Sequence, residues 1–169
     1  MRKSILLLAI AAAVIASVAI RANSDEKPLT GFDRMKTLVG TWSGQENGNS
    51  LTSTIRLVSN GTALEEIFQS GEAHQMVTLY SRDGDKLAMI HLCEIGNQPR
   101  METGTLAPNA DTFDFSFTGG TNMASENDLH MDHMTLHVID STHFDETWIA
   151  RQNGKEVEHA LFHFTRTAS

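Results

Sequence analysis

Turn-forming pairs recur at intervals of roughly ten residues from residue 40 onward, and that rhythm suits a chain of many short strands. The pairs lie in Glu46-Asn47-Gly48-Asn49, Asn60-Gly61, Ser70-Gly71, Asp83-Gly84, Gly96-Asn97, Gly119-Gly120 and Asn153-Gly154. Each supplies a residue tolerant of positive φ, which tight hairpins require. No segment beyond residue 40 keeps a helical apolar period for three turns. The spacing therefore predicts strands over 40–46, 50–58, 62–69, 74–82, 86–93, 100–106, 111–117, 129–139, 142–151 and 156–166.

Two of these alternate cleanly. Phe113, Phe115 and Phe117 are separated by Asp114 and Ser116, and Ala160, Phe162 and Phe164 by Leu161 and His163. Alternation puts one face against a core and the other toward water or a polar cavity. Segment 86–93 (KLAMIHLC) is apolar on both faces and is expected to be covered on both. The polar stretch 118–128 is expected to be a long loop over one end, and the sequon Asn60-Gly61-Thr62 reads as a hairpin turn. Before the strands, residues 30–39 allow one short helix, with Phe32, Met35 and Leu38 on a shared face. Such a helix would plug one mouth of a barrel. An open sheet of ten strands leaves unpaired edges, and closure removes them. The expected fold is all-β: an antiparallel up-and-down barrel of about ten strands with a short N-terminal helix.

The chain has 169 residues, 40% of them apolar, and a formal net charge of −8. That length suits one domain. The acidic balance argues against a nucleic-acid surface, which needs clustered Lys and Arg to displace counterions. Cys93, the single cysteine, excludes an intramolecular disulfide framework and is expected to be buried.

Residues 1–22 read as an export signal. Arg2 and Lys3 precede an apolar run over 4–20, and cleavage is expected after Ala19 or Ala22. A retained membrane anchor is the alternative, at the short limit for a bilayer span. Residues 23–29 read as a linker and 30–169 as the barrel domain. The mature chain is expected to be periplasmic or secreted, with no membrane association after cleavage.

Gly40-Thr41-Trp42 opens the first strand, and Arg166 lies on the last. This arrangement resembles the lipocalin-type (calycin) barrels. The resemblance covers residues 30–166 and implies that Gly40, Trp42 and Arg166 close one end, the guanidinium packing across the indole. A narrower resemblance is to a bacterial family of exported proteins of unknown function. It rests on Leu38-Val39-Gly40-Thr41-Trp42, Gly61-Thr62-Ala63-Leu64-Glu65-Glu66, and the run His91-Leu92-Cys93-Glu94-Ile95-Gly96-Asn97-Gln98-Pro99-Arg100-Met101. It implies the fold and a pocket, and no reaction.

The run 91–101 is dense in polar groups. His91 and Cys93 share a strand face, and Asn97, Gln98 and Arg100 offer donors beside a sharp turn. They could hold a carboxylate or other polar head group, with Arg100 as charge partner. They could equally tie down a hairpin, with Arg100 paired to Glu65 or Glu66. His130 is expected on a neighbouring strand. It shares a face with Asp132, while His133 and His137 take the other, which works against a single zinc site. Convergence of His91, Cys93 and His130 is the remaining zinc option. Segment 158–164 resembles the last strand of nitrobindin-type haem barrels, which makes His159 the residue for a haem iron. If Ala160, Phe162 and Phe164 face inward, however, His159 faces water.

No G-x-S-x-G, HExxH, Walker or dinucleotide fingerprint occurs. Among Glu65, Glu66, Asp145 and Glu146, strand parity allows Glu66 and Glu146 to meet inside as acid and base. Trp148 shares the parity of Phe144 and Glu146. The expected function is binding of a small, partly apolar molecule, with or without an acidic head group, through His91, Cys93, Asn97, Gln98, Arg100, His130 and Glu66. The alternatives are an enzyme of hydrolase or isomerase type in the same cavity, and a haem or metal barrel. No cofactor is otherwise expected.

Overall fold

The computed structural model describes residues 28–46, 49–71 and 74–167. The expected export segment, 1–22, and most of the expected linker, 23–29, lie outside them. The described chain forms one short helix, α1 (Gly31–Lys36), and ten strands: β1 (Gly40–Glu46), β2 (Asn49–Val58), β3 (Ala63–Ser70), β4 (His74–Asp83), β5 (Lys86–Leu92), β6 (Gln98–Thr103), β7 (Thr112–Thr121), β8 (His130–Val138), β9 (His143–Gln152) and β10 (Lys155–Arg166). Every strand pairs antiparallel with its neighbours in sequence, and β1 pairs with β10 to close the barrel. This is the expected all-β up-and-down barrel. Its closing seam is narrow, with Trp42 opposite Arg166 and Ser43 opposite Thr165.

Helix α1 is shorter than the sequence suggests. Thr30 caps it, its hydroxyl accepting from the Asp33 amide at 3.1 Å. Phe32, Met35 and Leu38 are all buried, so the apolar spacing delivers one inward face. The helix sits at the barrel end where β6 leads into β7, held there by an Arg34–Asp111 ion pair of 2.7 Å. Beneath it the interior is solid. Trp42 meets Phe144 edge-on at 4.8 Å, and Phe144 stacks on Phe164 at 4.6 Å. Tyr80, Leu87, Phe113 and Phe115 fill the same interior without exposure.

Arg166 locks that end. Its guanidinium carbon lies 4.0 Å from the centre of the Trp42 ring. Gly40, at φ +147°, lies so near that an added Cβ would stand 2.5 Å from Arg166 Nη1. Only glycine combines that backbone with that proximity.

Several sequence expectations are corrected. Segment 86–93 is not covered on both sides: Leu87, Met89 and His91 point inward, but Leu92 is 41% exposed, because β5 lies in a single-layered wall. The long loop begins later than residue 118, since β7 continues to Thr121 across a register shift opposite Arg100 and Met101. Strand β6 starts earlier than residue 100, at Gln98. The Asn60-Gly61 turn does join β2 to β3 as the expected hairpin, as a 3-10 turn with Asn60 at φ 55°.

Candidate functional site

Packing fills the barrel at the helix end and leaves a cavity of about 300 Å³ toward the other. Strand parity decides what lines it. On β3, Leu64, Glu66, Phe68 and Ser70 point inward; on β4, Met76, Thr78 and Tyr80; on β5, His91, with Cys93 just beyond the strand. From the opposite wall come Glu146, Trp148 and Ala150 of β9 and Glu158, Ala160 and Phe162 of β10. Leu129 and His130 enter at the start of β8. Glu94 and Ile95 stand at the rim, both exposed.

Two carboxyl groups lie in this interior. Glu66 is 2% exposed and Glu146 is 1% exposed. Glu66 accepts from Ser53 Oγ at 2.6 Å and from the Tyr80 hydroxyl at 2.7 Å. Glu146 Oε2 accepts from Trp148 Nε1 at 2.9 Å, and the protonated Glu146 carboxyl donates to that of Glu66. Burial raises the proton affinity of both. Glu146 is pushed well above the usual carboxyl range, by burial first and then by the negative charge of Glu66. The hydrogen bonds from Ser53 and Tyr80 pull Glu66 the other way. The pair therefore places its first negative charge on Glu66 and keeps its last proton on Glu146.

Beside them His91 is held as a neutral ring. Its Nδ1 lies 2.9 Å from Thr78 Oγ1, and its face lies 4.6 Å from Trp148. Burial lowers its pKa to about 4. Its Nε2 has no hydrogen-bond partner. Trp148 thus touches both groups, packing at a tilt against His91 and donating to Glu146. His130 is equally enclosed. Its Nδ1 donates to the Asp128 carbonyl at 2.7 Å, and its Nε2 comes no closer than 3.6 Å to Asp132. The ring packs 4.3 Å from Phe117. Cys93 is buried with its thiol free, and burial raises its pKa.

The structure thus brings Glu66, His91, Cys93 and His130 to one cavity. It leaves three of the sequence candidates elsewhere. Asn97 is buried, but its Nδ2 donates to the Leu129 carbonyl at 2.7 Å, tying the β5–β6 turn to the β7–β8 connection. Gln98 binds the Gly96 carbonyl and accepts from Thr121, each at 2.8 Å. Arg100 is exposed on the outer face, because the inward positions of β6 fall to Pro99 and Met101. It meets neither Glu66, which is inside, nor Glu65, which pairs with Arg56 outside.

His159 is also outside. Phe162 and Phe164 take the inward parity, and His159 pairs with Glu156 at 3.5 Å on the surface. From there it cannot reach an internal haem, so the residues present do not fit that group. Among the described residues, no three His, Cys, Asp or Glu side chains gather closely enough to hold a metal ion. His133 turns outward near Asp114, after a register shift between Met131 and His133.

Sequence reasoning missed the partners that hold the site in place: Ser53, Thr78 and Tyr80. Their signal was present, since each shares the inward parity of an apolar neighbour on its strand.

No family model matches the chain, and no curated protein matches it either. Among solved structures it is similar to a protein of unknown function from the DUF3598 family of Nostoc punctiforme, with a TM-score of 0.55 and 16% sequence identity. The match covers 83% of this chain and 50% of that one, so this chain spans about half the length of that relative. At this identity the likeness shows the β-barrel fold and carries no activity with it.

Proposed function

We propose that the protein is exported and binds one small, partly apolar molecule inside its barrel. One observation carries the reading. The cavity of about 300 Å³ is walled by aromatic and aliphatic side chains, yet His91 Nε2 and His130 Nε2 on its lining have no hydrogen-bond partner among the described residues. Buried polar atoms are rarely left unpaired, because each costs about 1–3 kcal/mol. A guest supplying those hydrogen bonds removes the cost. The volume sits at the lower end of small-molecule pockets, roughly 300–1,000 Å³, so the guest is small. Export is supported by the pattern of residues 1–22.

Native mass spectrometry of the full chain, purified without denaturation, tests this reading. The expected spectrum carries an added mass of a small organic molecule that is lost on unfolding. A spectrum of bare chain, together with no stabilisation by any member of a small-molecule library, would end it.

The paired carboxyls favour a second reading, proton-transfer catalysis in the same cavity. Two carboxyls with separated proton affinities can serve as acid and base. Turnover of the retained molecule, detected as a changed mass, distinguishes it from binding alone.

A further inference from the structure

We propose that the guest is an organic cation: a protonated amine on a small apolar body, with its ammonium at Glu66 and Glu146 and its body against Trp148. This rests on the small-molecule reading above and narrows it.

The charges of the wall give the sign. The described residues lining the cavity include Glu66 and Glu146 inside and Glu158 at the rim, and no Lys or Arg. The one guanidinium that the sequence places nearby, Arg100, is on the outer face. An acid entering this space would meet two buried carboxyls and no cation. An ammonium carries three donors and no acceptor. It therefore matches acceptors, and the buried Glu66 carboxylate on this wall is one. The lone pair of a neutral His91 adds a further acceptor where Thr78 hydrogen-bonds to its protonated Nδ1.

The walls support the same class. Trp148, Phe68 and Phe162 line the space, and aromatic faces attract cations electrostatically. Met76 and Met131 add polarizable, adaptable surface. Burying an ammonium is costly unless it is paired and hydrogen-bonded. A carboxyl pair whose first charge is fixed by Ser53 and Tyr80 supplies that pairing without moving.

Calorimetric titration of the full chain at neutral pH with 2-phenylethylamine, 2-phenylethanol and phenylacetate tests the proposal. The amine is expected to bind at least tenfold tighter than the alcohol, with no detectable binding of the acid. Glu66→Gln removes the charged member of the pair and is expected to weaken the amine at least tenfold and leave the alcohol unchanged. The three-ligand comparison on the unaltered protein stands even where that variant does not fold. Binding of phenylacetate or the alcohol as tightly as the amine overturns the cation and leaves the small-molecule reading intact. Silence from all three also overturns the cation, and a bare chain in native mass spectrometry together with no stabilisation by any library member removes both readings.

Discussion

Arg166 lies over the Trp42 ring, its guanidinium carbon 4.0 Å from the ring centre, and at the same time donates to three backbone carbonyls. Nη2 reaches Thr37 at 2.7 Å, Nη1 reaches Val39 at 2.8 Å and Nε reaches Ser141 at 2.8 Å. One side chain therefore ties the end of α1, the start of β1 and the β8–β9 turn to the last strand. The seam between β1 and β10 has few paired residues of its own, so this contact matters most where the barrel is least zipped.

Arg166→Ala is expected to lower stability by about 2–3 kcal/mol, since it removes a cation–π contact and leaves three carbonyls short of a donor. Arg166→Lys is expected to recover less than half, because an ammonium cannot make a planar fork. Gly40→Ala collides with Nη1 in the natural chain, and less so once the guanidinium is gone. Urea unfolding of the two single variants and the double variant gives the coupling. Additive losses would mean that Gly40 answers only to its backbone angle.

The carboxyl pair sets a pH dependence whose sign can be worked out. Glu146 has a folded proton affinity well above its unfolded one. Its contribution to stability is thus full below about pH 4.5, the ordinary glutamate value, and is lost as pH rises toward the folded value. Gln cannot ionise, so Glu146→Gln is expected to gain on the natural chain as pH climbs through the neutral range, by at most about 1.4 kcal/mol per pH unit. The check is the difference between the two stability curves from pH 5 to 8. A flat difference would place a charged Glu146 in the fold without cost.

His91 acts in the opposite direction. Its pKa falls to about 4 on folding, from an ordinary 6.5, because burial disfavours the charged ring. Its stabilising contribution is present above pH 6.5 and disappears as pH falls through about 4. His91→Asn is expected to remove up to about 3 kcal/mol of acid sensitivity across that window, at about 1.4 kcal/mol for each pH unit it spans. Acid unfolding followed by tryptophan fluorescence would show the variant holding its fold to lower pH. An unchanged acid limb would show that His91 takes up its proton without leaving its place.

The barrel was legible because its signals are local. Turn pairs mark the strand ends, and alternation marks the inward face. The Phe113–Phe115 and Phe162–Phe164 pairs declare that face on β7 and β10 without reference to any other strand. The site was legible only in part, because it depends on which strands meet across the interior. Parity separates Glu65, paired with Arg56 outside, from Glu66, but does not reveal that Ser53 and Tyr80 reach Glu66 from other strands. The useful signal was the company each residue keeps: Glu66 sits between Leu64 and Phe68, and Glu146 between Phe144 and Trp148. Motif density misled at Arg100. Proximity in sequence to His91 and Cys93 suggested a common pocket, but the β5–β6 turn passes the inward parity to Asn97, Pro99 and Met101.

The proposed export would leave a chemical trace at the N-terminus. Removing residues 1–19 takes away two basic residues and no acidic one, so the net charge falls from −8 to −10. Intact mass and N-terminal sequencing of the processed protein are expected to show a start at Ile20 or Asn23. A chain that keeps residues 1–22 and sediments with membranes would instead support the anchor.

Cys93 reports on the cavity from within. The thiol is free, lines the space and is 8% exposed, with burial raising its pKa. A thiol reacts as thiolate, so both burial and the raised pKa slow it. Labelling by methyl methanethiosulfonate at pH 8 is expected to run at least tenfold slower in the folded chain than in urea. The thiomethyl group then occupies part of a cavity of about 300 Å³. Labelled protein is therefore expected to lose the small molecule that native mass spectrometry finds in the unlabelled protein, while its thermal unfolding changes little because the solid half of the barrel is untouched. Retention of the molecule after complete labelling would place the guest away from Cys93 and outside this cavity.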